Sequence, residues 1–224
     1  MSGVPPVSTA LLRNVPLLSL LSENELILLA RVVVRKSYAR GTQILGAGDP
    51  TDSLYILISG RIKVFMSDLD GKEVILSILG PNEFFGEMGL IDNSPRSASV
   101  VALEPCELIC ISKPEFKRCL ADNFDMAMTV MRGLVKRLRE ADKQIGSLAL
   151  MDVFGRVARL LLETAEVVDG EKVVTRKLSK QDIARMIGAS REMVSRVMKH
   201  LQEAGYIEVR GETIVIRENI QLSD

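Results

Sequence analysis

The stretch Gly86-Glu87-Met88-Gly89-Leu90-Ile91-Asp92-Asn93-Ser94-Pro95-Arg96-Ser97-Ala98 decides how the rest of the chain is read. Two glycines and an acid open it, Pro-Arg-Ser closes it, and strand-like apolar runs flank it. Glycine lets a backbone approach a ligand closely. N–H groups at the start of a short helix suit an anion, and arginine meets phosphate with a planar fork. A carboxylate such as Glu87 can accept the proton of a sugar hydroxyl. The residues read as a cradle for one small anionic ligand. An internal Glu87–Arg96 ion pair across a turn is the alternative.

On either side of the cradle, Thr42–Leu45, Ser53–Ile58, Arg61–Ser67, Glu73–Leu79, Ser97–Leu103 and Glu104–Ile111 are strand-like. Turn residues separate them, among them Asp70-Gly71, a strong hairpin signal. Strands so short and so regularly spaced suggest a sandwich or jelly roll. Upstream, Met1–Thr9 reads as a loose arm and Ala10–Val34 as helical, broken at Pro16 and carrying a Ser22/Glu25 capping box. A short helix is expected over Lys113–Leu120.

Next, Phe124, Ala127, Met131, Leu134, Leu138, Ala141, Ile145 and Leu148 follow one another at spacings of 3 and 4, an a/d seam. A stripe this narrow favours self-pairing over packing on its own domain. Asp152–Glu166 continues as an amphipathic helix, and Val167–Val174 with Asp169-Gly170 as a hairpin or loop. Ser179 and Asp182 start a helix that ends at Gly188, and Arg191–Ala204 form a second. This is a helix-turn-helix pattern. A hairpin over Ile207–Ile216 follows it as a wing.

Formal net charge is zero, so overall charge announces no polyanionic partner. The average hides eight Lys or Arg against two acids between Lys172 and His200, and five acids against two bases over Leu201–Asp224. Three cysteines, Cys106, Cys110 and Cys119, have no paired-motif spacing, which fits a reducing, cytoplasmic setting. The N-terminus lacks a basic region ahead of an apolar one, so no signal peptide is expected, and no membrane partner. No metal cluster, nucleophile–base pair or GxxxxGK[ST] loop is present, so an enzyme is not expected.

Taken together, the cradle resembles the phosphate-binding cassette of cyclic-nucleotide-binding domains. The helix-turn-helix and wing resemble those of the bacterial CRP/FNR transcription regulators, in the family's own order, over about Leu17 to Ile216. The resemblance implies an α+β chain: an N-terminal double-stranded β-helix (jelly roll) sensor over 10–121, a dimerisation helix and hinge over 122–151, and a winged helix-turn-helix over 152–224. It implies that Glu87 bonds the ribose 2′-hydroxyl and Arg96 the cyclic phosphate. Ser97 and Ala98 would extend the cassette, with Gly86 and Met88 on the sugar side. Arg191, Glu192 and Arg196 would read base edges, and Lys180, Ser190 and Lys199 would contact phosphate. A palindromic operator related to the TGTGA-type half-site, a homodimer and RNA polymerase are implied as partners, with no cofactor beyond the effector.

The sequence departs from the cAMP-binding members where a Thr-Ser pair contacts adenine. Counting from Asp152, those positions are Ala141 and Asp142. An ionised carboxylate only accepts, which suits guanine N1–H and N2–H₂, and Arg139 could bond guanine N7 and O6. The effector is therefore cAMP or a guanine-containing messenger, cyclic GMP or cyclic di-GMP, with Asp142 as a plain solvated charge the competing reading. The alternative function is a ligand-independent DNA-binding regulator with a degenerate pocket. Iron–sulfur sensing is not expected because no cysteine precedes Cys106, and haem sensing is not expected because the only histidine is His200.

Overall fold

The computed structural model describes residues 7–175 and 178–217. Most of the expected N-terminal arm, residues 1–6, lies outside them, as does the segment after Arg217. Two compact units divide between Lys136 and Arg137.

The first unit opens with helices α1 (Thr9–Arg13) and α2 (Glu23–Ala30). The Ser22 hydroxyl accepts from Glu25 N–H, and the Glu25 carboxylate accepts from Ser22 N–H at 2.7 Å, so the expected capping box is present. Two helices are present as expected, but the extension of the second to Val34 is corrected. The helix ends at Arg31, and Val34 begins strand β1 (Val34–Tyr38), whose partner is far along the chain.

Seven further strands follow: β2 (Gln43–Leu45), β3 (Ser53–Ser59), β4 (Ile62–Ser67), β5 (Glu73–Leu79), β6 (Phe84–Phe85), β7 (Ser99–Ala102) and β8 (Cys106–Ser112). They form two antiparallel sheets, β1-β8-β3-β6 and β2-β7-β4-β5, the layers of the jelly roll. Helices α3 (Met88–Asp92), α4 (Lys113–Asp122) and α5 (Phe124–Leu150) complete the elements up to the long helix.

Strand β3 shows why the apolar run Leu54-Tyr55-Ile56-Leu57 does not alternate with polar residues. Tyr55 and Leu57 pack into the core between the sheets, with Phe85, Val100 and Leu108. Leu54 and Ile56, on the opposite face, pack with Leu26, Phe116, Met126 and Val130 beneath the helices. A strand covered on both faces reads as a continuous apolar run.

Helix α5 carries two stripes. Met126 and Val130 are buried in the sensor core and Leu134 packs against it. Packing on the chain's own domain therefore occurs, through Met126 and Val130 beside the expected seam and through Leu134 of the seam itself. Phe124, Met131, Leu138, Ile145 and Leu148 of that seam are exposed.

In the second unit Asp152 caps α6 (Val153–Thr164), accepting from Gly155 N–H at 2.8 Å. Glu166, expected at the end of that helix, starts strand β9 (Glu166–Val168), which pairs with β10 (Glu171–Val174) around Asp169-Gly170. Helices α7 (Lys180–Ile187) and α8 (Arg191–Glu203) follow, then β11 (Ile207–Arg210) and β12 (Thr213–Ile216). Gly188 ends α7 at φ +63°, where its N–H reaches Ala184 O; a left-handed residue here favours glycine. Val157, Leu161, Ile183, Val194, Met198 and Leu201 fill the core against Val174, Ile207 and Ile214. The wing is not a separate hairpin: β12 pairs with β10, giving one sheet, β11-β12-β10-β9.

Candidate functional site

The cradle is built where β6 runs into α3 and the following loop returns to β7. Glu87 precedes the five-residue α3 and is fully buried; Arg96 is 6% exposed. Charges are rarely buried unless other groups satisfy them. Arg96 Nη1 donates to Gly86 O at 2.7 Å, and Nη2 to Ser53 O at 2.8 Å and to Asp52 Oδ1 at 3.4 Å. The guanidinium carbon stands 5.7 Å from the centre of the Tyr55 ring. Its Nε is buried and makes no hydrogen bond among the described residues.

The backbone of Arg96 is pinned too. Its N–H donates to Asp49 O at 2.9 Å and its carbonyl accepts from Gly48 N–H at 2.8 Å. Thr51 Oγ1 donates to Ser94 O at 3.0 Å, so the loop between β2 and β3 braces the one that carries the arginine. Gly86 has φ +80°, and a Cβ there would stand 2.5 Å from Arg96 Nη1. Met88 and Ser97 are exposed, with Ser97 Oγ 3.8 Å from Met88 Sδ, and Ala98 is buried. Gly86, Glu87, Met88, Arg96, Ser97 and Ala98 thus gather in one loop system. Asp142 and Ala141 lie exposed on α5 in the second unit.

Asp52, Ser53 and Tyr55 were not singled out by sequence. Two of Arg96's acceptors are backbone carbonyls, which no side-chain pattern betrays, and Gly48-Asp49-Pro50 reads only as a turn. Burial pushes the Tyr55 hydroxyl well above its ordinary value, with Cys110 adding to the effect and Arg96 opposing it. Burial likewise pushes the Cys106 and Cys119 thiols up. Such thiols stay protonated and are poor nucleophiles.

In the second unit Ser190 caps α8, its hydroxyl accepting from Met193 N–H at 3.2 Å. Val194, Met198 and Leu201 face the core, which leaves Arg191, Glu192, Arg196 and Lys199 on the exposed side. Bonds from its own N–H and from the Ser190 hydroxyl hold the Glu192 carboxyl below its ordinary value, so it remains an acceptor. Lys180 Nζ donates to Ser195 Oγ at 3.1 Å, and Lys199 lies 3.6 Å from Glu203. The Lys199–Glu203 pair sits at the i,i+4 spacing of one helix, whereas the Lys180–Ser195 tie joins two helices and was not visible in the sequence.

A jelly-roll sensor with a buried arginine cradle, followed by a winged helix-turn-helix, defines an effector-responsive transcription regulator. The cyclic nucleotide-binding domain model matches residues 35–123, and the Crp-like helix-turn-helix domain model matches residues 155–223. The chain is 37% identical over 186 residues to the cAMP-activated global transcriptional regulator CRP of Pasteurella multocida, covering 80% of this chain and 88% of that one. It is 36% identical over 192 residues to the cAMP-activated regulator Vfr of Pseudomonas aeruginosa, covering 81% and 88%. Among solved structures, the c-di-GMP responsive global regulator CLP of Xanthomonas campestris aligns with TM-score 0.76 at 30% identity, covering 88% of this chain and all of that one. The chain belongs to the CRP/FNR family of transcription regulators. Both of these relatives are described as transcriptional regulators. Among the described residues no helix is long and apolar enough to cross a membrane.

Proposed function

We propose that this chain is a dimeric, cytoplasmic regulator that binds a cyclic nucleotide in the cradle and a palindromic operator with two copies of α8. The observation that carries the effector half is Arg96. A guanidinium held on two carbonyls, with a buried Nε left over, is an anion receptor already in place. A cyclic phosphate supplies the missing acceptor, while Glu87 takes the ribose hydroxyl and Ser97 and Ala98 close the phosphate side. Gly86 and Met88 border the sugar.

On the DNA side, Arg191 and Arg196 match guanine O6 and N7, Glu192 accepts from cytosine N4, and Lys180, Ser190 and Lys199 position the helix on phosphate. The exposed stripe Met131, Leu138, Ile145 and Leu148 supports pairing of α5 with a second copy. Action at promoters with RNA polymerase follows from the family's role.

The effector is cAMP or a guanine-containing messenger, cyclic GMP or cyclic di-GMP. Relatives of both kinds support the pair: CRP and Vfr are described as cAMP-activated, CLP as c-di-GMP responsive. Ala141 and Asp142 discriminate, because a carboxylate accepts from guanine N1–H and N2–H₂ but meets a poorer match in adenine. Parallel calorimetric titration of the protein with the three nucleotides tests this. Binding of one of them, lost in Arg96→Ala with the dimer intact, is the expected result. Absence of heat with all three, together with full operator binding, would establish a ligand-independent regulator instead.

A further inference from the structure

The wing carries a closed ring of charges. Arg210 Nε and Nη2 donate to Glu208 Oε1 and Oε2 at 2.8 and 3.3 Å, and Nη1 to Glu171 Oε2 at 2.9 Å. Arg217 Nε donates to Glu208 Oε2 at 2.8 Å and Nη1 to Glu171 Oε1 at 2.7 Å, while Nη2 also meets Glu208. Each carboxylate bridges both guanidiniums, so β10 and the two sides of the wing hairpin are joined in one neutral set. All four side chains keep 36–45% of their surface exposed, so solvent and ions reach them.

Arg210 and Arg217 are the only lysines or arginines after Lys199. The ring therefore engages both cationic side chains that follow α8, while Lys172 on β10 of the same sheet stays outside it. The hairpin also begins only four residues after α8 ends, so it accompanies that helix to the duplex. Cationic side chains brought that close to phosphate ordinarily release counterions and strengthen binding without regard to sequence.

We propose that Glu171 and Glu208 are affinity-setting residues, which hold Arg210 and Arg217 on the sheet and withhold them from DNA phosphate. The wing then adds little sequence-independent attraction, and discrimination rests on Arg191, Glu192 and Arg196. A chain whose backbone contacts are few loses less of its occupancy to random sites, because non-specific binding is almost wholly electrostatic. This inference rests on the DNA-reading function and deepens it.

The test is the salt dependence of binding to one duplex of fixed sequence, read by fluorescence anisotropy between about 50 and 200 mM salt. Wild type, Arg210→Ala/Arg217→Ala, Glu171→Gln/Glu208→Gln and the quadruple variant that combines them are compared, with thermal melts to show that each is folded. Both carboxylates are replaced together because each accepts from both arginines. Exposed ion pairs contribute little to stability, so Glu171→Gln/Glu208→Gln is expected to fold. Its log–log slope should steepen by about 0.9 per freed arginine in each wing, an added loss of about 3.5-fold over that salt range for each contact. The quadruple variant should return to the wild-type slope, and Arg210→Ala/Arg217→Ala should leave it unchanged. An unchanged slope in Glu171→Gln/Glu208→Gln, or a flattened one in Arg210→Ala/Arg217→Ala, overturns the proposal. Wild-type protein that bound no DNA at all would instead defeat the DNA-reading function itself.

Discussion

Replacing Gly86 by alanine probes the cradle with a single methyl group. The residue has φ +80°, and the new Cβ would stand 2.5 Å from Arg96 Nη1 and 3.4 Å from Ser53 O. Two costs follow. An L-residue in the left-handed region costs about 1–2 kcal/mol. Displacing Nη1 from Gly86 O breaks a hydrogen bond made by a charged donor, worth about 1.5–3 kcal/mol. The sum is about 2.5–5 kcal/mol, a fall of about 8–25 °C in the melting of a domain of this size. Gly41→Ala is the control: φ is +81° there, and nothing lies within 4 Å of its added Cβ. It carries only the backbone cost, about 1–2 kcal/mol. Scanning calorimetry of both variants isolates the arginine contact, and nucleotide titration should show Gly86→Ala weakened and Gly41→Ala unaffected. If Gly86→Ala melts no lower than Gly41→Ala, Arg96 is not held as described and the cradle argument falls.

Arg191→Ala should weaken operator binding by about 1–3 kcal/mol and relax the preference at one base pair, measured by competition among operator variants. A uniform loss across all sequences would make Arg191 a phosphate contact instead. Leu138→Lys with Ile145→Lys places charges in the exposed seam of α5; sedimentation velocity should show monomers with the sensor fold retained. A variant that still sediments as a dimer would place the interface elsewhere. Glu208 is held down to about 2 from an ordinary 4.5, chiefly by Arg210 and then Arg217. Its contribution to stability is therefore fully present above the ordinary value and lost as pH falls toward about 2. The stability gap between wild type and Glu208→Gln, small because the pairs are exposed, should close over that acid range in pH-resolved melts; a gap that widened on acidification would contradict the ring.

Local signals in the sequence carried furthest. Ser179 with Asp182, Gly188 and Ser190 each act within a few residues, so both helices of the helix-turn-helix were legible from caps and breaks. The cradle's members were legible because they are contiguous. Its supports were not: Ser53 lies 43 residues before Arg96 and contributes only a carbonyl. Strand β1 was missed for the same reason. Val32, Val33 and Val34 extend a helix-like apolar run, and the strand is fixed by β8, where Arg35 meets Glu107 across 72 residues. Helix α5 was legible only in part. The 3-and-4 spacing was real, but Met126 and Val130 lie one stripe over, and only the packed core shows that this second stripe is the buried one.

The arginine of the cradle has a thermodynamic consequence for switching. A free arginine side chain carries about 2 kcal/mol of rotamer entropy that a ligand must quench. In Arg96 that freedom has already been surrendered to Gly86 O, Ser53 O and the Tyr55 ring during folding. Under the function proposed above, an arriving anion would meet a receptor with one donor in waiting, and little of its interaction energy would go to ordering the site. What remains can favour one conformation of the protein over another, and only such differential affinity moves a two-state equilibrium.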